Sequence, residues 1–311
     1  MSLAASNVRP TRVYQNHHLD STRWDVYEPR EGDVIITSAY KAGSTWTQQV
    51  VMLLLGGRPE SLLELRNLSI WVDARFRRGS KQELAEQLRA RAGRRVLKTH
   101  LPLDGLPWYP QPRYLVGGRD ARDVFMSLYN HYGSYTELAY AALNDPEGRV
   151  GDPLPPCPDD PRVLWREWIT RGWFPWEHEG WPFWSSMHHT QTYWDQRDRP
   201  NLLFVHYADM LRDLADEVRR MACFLEVEAS DARIEEIAAA TTFARVKAAA
   251  DQQASDGPQM LRDGLRSFFH AGTTGRWREV LTAEDLELYE QAKRRVLTPA
   301  CAAWLEQGRG A

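Results

Sequence analysis

Two kinds of hydrophobic pattern take turns along the chain. Residues 33–38, DVIITS, are a short β-branched run with Glu31-Gly32 before it and a small-residue loop after it, which predicts a buried strand. Residues 45–55, TWTQQVVMLLL, place Trp46, Val50, Leu53 and Leu54 at helical spacing and stop at Gly56-Gly57. Strand, loop and helix thus follow within about 25 residues, as in a βαβ unit. The alternation recurs in an exposed charged helix over 81–91, a strand over 94–98, a loop from His100 to Pro112, a strand over 113–118, and a helix from Asp120 to His131 with Val124, Leu128 and His131 on one face. A strand over 202–207 precedes helices over 209–225, 231–239 and 284–297, the last opening on a capping box of Thr282 and Asp285.

Strands separated by helices imply an α/β fold with a central parallel sheet covered on both faces, and ligands in such sheets sit beyond the carboxyl ends of the strands. The 311 residues suit a single domain, with 1–30 as an N-terminal arm and the Pro-, Gly- and Asp-rich stretch 144–160 as a long surface loop. Composition adds little: 43% hydrophobic and 26% charged residues allow a packed core, and a net charge of −3 gives no global reason to bind nucleic acid or an acidic membrane. The three cysteines, Cys157, Cys223 and Cys301, are scattered and suggest neither a disulfide framework nor a zinc site. The first fifteen residues hold no apolar signal core, and the apolar run 50–55 is far shorter than the roughly 20 residues of a membrane span, so a cytoplasmic protein without membrane insertion is expected.

Candidate chemistry sits where strand gives way to helix. In SAYKAGSTW, residues 38–46, the small residues and Gly43 let backbone amides turn toward a ligand, and the following helix start adds N–H donors and partial positive charge. Ser44 and Thr45 add hydroxyls and Lys41 a cation. A nucleotide-binding P-loop, G-x-x-x-x-G-K-[ST], is ruled out by order, because here the lysine precedes the glycine. In VLKTHLP, residues 96–102, His100 ends a strand, and an ordinary imidazole pKa of about 6.5 suits a general base. In YLVGGRDARDVFMS, residues 114–127, Arg119 ends a strand where its fork can meet a phosphate, and Ser127 follows about two helical turns on. Arg122 is expected in a solvated first turn.

Together these segments resemble the cytosolic sulfotransferase family from about residue 30 to residue 280. Lys41, Ala42, Gly43, Ser44, Thr45 and Trp46 look like its phosphosulfate-binding loop, LKTHLP like the strand end that carries its catalytic histidine, and the Arg119–Ser127 pattern like its 3′-phosphate motif. Tyr207, in VHYADM, is similar to the tyrosine that contacts adenine, and Thr241 and Phe243, in TTFARV, to the adenine and 3′-phosphate wall. In FFHAGTTGRW, residues 268–277, Gly272, Gly275 and Trp277 fit the family's Arg-Lys-Gly-x-x-Gly-Asp-Trp, but His270 and Ala271 replace the basic pair and Arg276 the aspartate.

The resemblance implies 3′-phosphoadenosine 5′-phosphosulfate (PAPS) as donor, no metal, and in-line transfer to a hydroxyl of a small, apolar acceptor. In that scheme His100 takes the proton, Lys41 stabilises the leaving phosphate, Arg119 and Ser127 fix the 3′-phosphate, and Lys98 faces the acceptor. The seven tryptophans between residues 165 and 194 are expected to pack mainly in the core. Adjacent His188 and His189 diverge on a helix and make no metal site. The family's dimerisation segment is not recognisable after Trp277, so the sequence leaves oligomeric state open. A magnesium-dependent nucleotide kinase and a non-catalytic binding module are the alternatives.

Overall fold

Every strand is a short apolar or β-branched run buried on both faces. In the computed structural model, which describes residues 7–77, 79–252, 259–262, 264 and 272–310, β1 (Val34–Ser38), β2 (Ser69–Trp71), β3 (Val96–Thr99), β4 (Arg113–Gly118) and β5 (Leu202–His206) form one parallel sheet in the order β2-β3-β1-β4-β5. Successive side chains of a strand point to opposite faces, and the two cores divide accordingly. Val34, Ile36, Val96 and Leu115 enter one, while Ile35, Leu97, Tyr114 and Val116 enter the other.

The first core is closed by α1 (Ser44–Leu54), α2 (Leu62–Leu68), α9 (Leu214–Phe224) and α10 (Asp231–Ala240). The second is closed by α3 (Lys81–Ala90), α4 (Ala121–Gly133), α5 (Glu137–Asn144), α6 (Pro161–Thr170), α7 (Ser186–Trp194), α12 (Ala283–Val296) and α13 (Pro299–Gln307). Two further helices, α8 (Tyr207–Arg212) and α11 (Phe243–Gln252), follow β5 and α10. This is the α/β architecture the alternating pattern implies. Tyr14, Leu19 and Trp24 of the N-terminal segment are buried in the second core, and residues 145–160 carry neither helix nor strand.

Three local expectations need correction. The helix over 209–225 is two helices, broken at Asp213, whose backbone is extended at φ −149° and whose carboxylate accepts the N–H of Asp216 at 2.9 Å to start α9. Tyr207 does not close a strand but opens α8, with the His206 ring as its N-cap. Arg122 is not solvated: it pairs with both carboxylate oxygens of Asp120, at 3.0 and 2.6 Å, and lies over the rings of Trp277 and Tyr289 at 4.2 and 4.5 Å.

The start of β1 is tied to β3 by a buried ion pair. The Arg95 guanidinium donates Nε to Asp33 Oδ1 at 2.8 Å and Nη2 to Oδ2 at 2.5 Å, with both side chains 1% exposed, and the Tyr27 hydroxyl donates to the same carboxylate at 2.7 Å. Removing one partner leaves a buried charge unpaired. Arg95→Ala is therefore expected to lower unfolding free energy by about 3–5 kcal/mol in urea denaturation; a loss below about 1 kcal/mol would mean that water or another group replaces the guanidinium.

Candidate functional site

The connection leaving β1 runs to β2 on one side and the connection leaving β4 runs to β5 on the other, so the sheet reverses its winding direction between these neighbours. Such a reversal opens a crevice beyond the carboxyl ends of the strands. A cavity of about 300 Å³ lies there, and the end of every strand lines it: Tyr40, Lys41 and Gly43 after β1, Trp71 in β2, Lys98 and His100 in and after β3, Arg119 after β4, and Tyr207 after β5.

The loop after β1 turns through left-handed backbone at Lys41, φ 69°, and Gly43, φ 103°. Gly43 is the N-cap of α1 and supplies no side-chain cap, so first-turn N–H groups are left for an anion. A Cβ on Gly43 would also come within 3.1 Å of the Tyr207 ring. Ser44, Thr45 and Trp46 line the cavity, whereas Ala42 is buried off its wall. Trp46 is held from behind: its Nε1 donates to the Thr241 carbonyl at 2.6 Å. Thr241 is likewise absent from the lining, so its contact with the cavity runs through Trp46. Tyr207 packs edge-on to Trp46 at 5.4 Å, and Phe243 stands against Gly272 where a Cβ would sit 2.3 Å from the ring. Arg119 and Ser127 line the same end. The guanidinium of Arg119 lies 4.2 Å over the Tyr207 ring, and its buried Nε has no hydrogen-bond partner among the described residues.

His100 is 1% exposed, and its Nδ1 is 2.7 Å from the Ser38 carbonyl oxygen. A carbonyl only accepts, so Nδ1 carries the hydrogen and the neutral ring keeps its lone pair on Nε2. Nε2 is buried and lacks a partner among the described residues. Burial, then Lys98, hold the ring well below its ordinary pKa against the opposing Ser38 bond, so it stays neutral. The rings of Trp71 and Tyr40 flank it at 4.9 and 5.2 Å. Behind them Asp73, wholly buried, accepts the Trp71 indole N–H at 2.9 Å and the Trp24 indole N–H at 3.0 Å.

The cavity is strongly cationic. Among the described residues, Lys41, Arg66, Arg77, Lys98, Arg119 and Arg276 line it with one carboxylate, Asp123, which accepts the Gly275 N–H at 2.7 Å. Burial, then Lys98, Arg66 and Arg119, push Lys41 well below its ordinary pKa, and burial, then Arg66, bring Lys98 down to about 7. Charges that suppress one another in this way are arranged for a polyanion.

The other end of the cavity is apolar with a few hydroxyls and imidazoles: His18, Tyr40, Trp71, Phe76, Met126 and Tyr135. Tyr40 connects by its hydroxyl to His131 at 3.1 Å and Tyr135 at 3.3 Å. None of the seven tryptophans between residues 165 and 194 lines it; they pack in the core or against it, and Trp184 stands behind the lining rings of Tyr40, His18 and His100 at 5.1, 5.9 and 6.0 Å. The basic-pair positions His270 and Ala271 lie outside the described residues, while Gly272 and Arg276 line the cavity. The sequence did not single out Trp71, Asp73, Phe76, His131 or Tyr135; Trp71 and Asp73 come from a strand of three residues and its turn, too short to leave a periodic signal.

Comparison with known proteins decides the family. The sulfotransferase domain matches residues 31–299. The chain belongs to the sulfotransferase family. It is 30% identical to a glycolipid sulfotransferase of Mycobacterium bovis (strain BCG / Pasteur 1173P2), over 96% of this chain and 94% of that one. It is 26% identical to human sulfotransferase 1C2, over 86% and 84%. Among solved structures, retinol dehydratase in complex with androsterone and the inactive cofactor PAP matches with a TM-score of 0.69 at 21% identity, over 89% of this chain and 84% of that one. A mouse sulfotransferase complexed with PAP matches with a TM-score of 0.66 at 17% identity, over 91% of each chain. Both have the same fold as this sulfotransferase.

The left-handed turn at Gly43 yields a direct test. Gly43→Ala forces a side chain into that conformation and against Tyr207, and is expected to cost about 1–3 kcal/mol in unfolding free energy. An unchanged thermal midpoint would mean that the loop relaxes into another path.

Proposed function

We propose that this enzyme transfers a sulfuryl group from PAPS to a hydroxyl of a small acceptor that is apolar around the reacting group, by in-line displacement with His100 as general base. The observation that carries the reading is the lone pair of His100 Nε2, fixed by the Ser38 bond and left without a partner among the described residues in a cationic cavity. The residues present fit the donor. Gly43 leaves the first turn of α1 without a side-chain cap, Arg119 has an Nε with no hydrogen-bond partner among the described residues, and the PAP-bound solved structures share the fold.

When bound, PAPS supplies the sulfuryl group and a phosphate leaving group. His100 Nε2 accepts the acceptor's proton as its oxygen attacks. Lys41 places positive charge beside the leaving phosphate, and Ser44, Thr45 and the first-turn amides of α1 hold the 5′ end. Arg119, Ser127 and backbone around Gly272 hold the 3′-phosphate, with Arg276 in place of the missing basic pair. Trp46, Tyr207 and Phe243 form the adenine wall, with Thr241 keeping Trp46 in position. Lys98, beside His100, faces both substrates. Such a reaction rests on positioning and preorganised charge, and the scheme uses side-chain cations and no metal. The aromatic end of the cavity fits an apolar acceptor, and the mycobacterial relative is named for a glycolipid. No helix among the described residues is long and apolar enough to cross a membrane. With its three free cysteines the chain suits the cytoplasm.

The first experiment is calorimetric titration of PAP against ATP without metal. Preferential binding of PAP is expected, and a magnesium-dependent preference for ATP would overturn the reading in favour of a kinase. His100→Ala is expected to leave PAP affinity nearly intact and reduce turnover by about 10²–10⁴-fold; unchanged turnover removes His100 from the chemistry.

Protonation gives a second test. Lys98 titrates near 7 with Lys41, Arg66 and Arg77 as cationic neighbours and Asp73 opposing, so at pH 8 it is mostly neutral in the free protein. A bound polyanion favours the charged form and raises that pKa. PAP binding at pH 8 is therefore expected to take up protons, measured by calorimetry in buffers of different ionisation enthalpy, and Lys98→Met should reduce the uptake. Proton release, or equal uptake in the variant, would count against an anion beside Lys98.

A further inference from the structure

The apolar end of the cavity holds a chain of hydrogen bonds whose hydrogens can be placed one by one. The inference drawn from it rests on the sulfuryl-transfer reading above. The chain starts at a backbone carbonyl. His17 Nε2 lies 2.8 Å from the Pro182 oxygen, which only accepts, so Nε2 carries the hydrogen. Burial, the largest cause, holds His17 down at about 3 and His18 well below its ordinary pKa, so both rings are neutral. His17 Nδ1 therefore has a lone pair, and His18 Nδ1, 2.5 Å away, donates to it. His18 Nε2 is then bare of hydrogen and accepts from the Tyr135 hydroxyl at 3.3 Å. Tyr135 has no second hydrogen, so at its 3.3 Å contact with Tyr40 the Tyr40 hydroxyl is the donor. With that hydrogen spent, the Tyr40 oxygen accepts from His131 Nε2 at 3.1 Å.

One carbonyl thus sets the direction of every link. Its end of the chain is sealed: His17 and His18 are 0% and 2% exposed, and the rings of Trp173 and Phe183 pack on His17 at 4.7 and 5.9 Å. The other end is open to a ligand, because Tyr40 and Tyr135 line the cavity. Both phenol oxygens have spent their hydrogens inside the chain and keep acceptor capacity. They present lone pairs to the cavity and no hydrogen. The His100 ring, which meets Tyr40 at 5.2 Å, presents the Nε2 lone pair beside them.

We propose that the acceptor carries a second hydrogen-bond donor, an O–H or N–H, besides the hydroxyl that is sulfated, and that the Tyr40 oxygen is its subsite. Tyr135, His18 and His17 are positioning residues that fix where the Tyr40 hydrogen points. The acceptor class is then a diol, or an amino or amido alcohol, on an apolar frame. A ketone or an ether in the same place sets lone pair against lone pair, and a bare hydrocarbon strips water from a buried oxygen and returns nothing. Groups of similar size are therefore sorted by whether they carry a hydrogen.

The test is calorimetry on the full chain saturated with PAP, using 2,3-, 2,6- and 2,7-dihydroxynaphthalene and the monomethyl ether of each. The three diols space their oxygens differently, and each ether keeps one hydroxyl but offers no hydrogen at the other position. At least one diol is expected to bind about tenfold tighter than its ether, beyond the roughly twofold that two equivalent hydroxyls give. Tyr40→Phe should bring that pair within about threefold. Nitrogen-15 spectra of the histidine-labelled protein add a readout that needs no variant, and protonation of His17 at Nε2 and of His18 at Nδ1 is the expected result. The subsite is overturned by ethers that match their diols throughout, by binding of none of the six compounds, by a gap that survives Tyr40→Phe, or by a His18 protonated at Nε2. Should Tyr40→Phe fail to fold, the diol–ether gap and the histidine tautomers still decide. The preceding PAP titration separates the two failures: without PAP binding the sulfuryl-transfer reading falls first, and with it intact only the second-donor subsite is at stake.

Discussion

A carbonyl oxygen has nothing to donate, and the contact between Ser38 O and His100 Nδ1, at 2.7 Å, therefore decides the state of the site. It joins the end of β1 to the end of β3, strands already paired in register from Val34 with Val96 to Thr37 with Thr99. It puts the imidazole hydrogen on the protein side and the lone pair on the cavity side. Burial and nearby cations keep the ring neutral, which is the state a general base needs before it acts. Asp73 supports the same geometry from behind by holding the Trp71 indole, and Trp71 in turn packs against the ring. The imidazole is positioned by sheet ends and aromatic packing, which are stiffer than loops.

The clustering of cations has a thermodynamic consequence. Among the described residues six positive side chains line one cavity with Asp123, and Lys41 and Lys98 are both held below their usual pKa by desolvation and by their neighbours. The ligand-free protein thus carries an electrostatic strain that an anionic ligand removes, and any ligand bound only by the folded state adds stability by mass action. The burial that makes Lys98 a poor cation in the empty site makes it a strong one beside a phosphate or sulfate, because the same low dielectric magnifies attraction as well as repulsion.

That the cationic end of the cavity gathers at the strand ends was legible in the sequence because it is local. Lys41 to Trp46, Lys98 to His100 and Arg119 to Ser127 are contiguous segments at strand ends, and spacing alone places them at the same edge of a parallel sheet. Tyr207 was legible as a residue but not as a helix start, since a strand's last position and a helix's first differ only in backbone angles. Thr241 was read as a wall residue, and its hold on Trp46 through a backbone carbonyl, at 2.6 Å, is a contact no side-chain pattern announces. The apolar end of the cavity was not legible. His18, Trp71 with Phe76, and His131 with Tyr135 come from three places in the chain and meet only after folding. Arg122, read as solvated, turned out to be enclosed by Asp120, Trp277 and Tyr289, because the partner rings arrive from more than 150 residues away.

That division has a physical basis. The cationic end of the cavity is lined from the loops after β1, β4 and β5; β1 and β4 flank the reversal of the sheet and are paired on both sides, and β5 is the edge strand beside them. The apolar end is built from the three-residue edge strand β2, the segment on to Phe76 and Arg77, and side chains of α4 and α5. An edge strand and the segment after it can change residues without disturbing the central register, so the lining of that end is free to vary. On this account, what distinguishes this chain from relatives such as the glycolipid enzyme at 30% identity should be sought between residues 62 and 77 before anywhere else in the cavity.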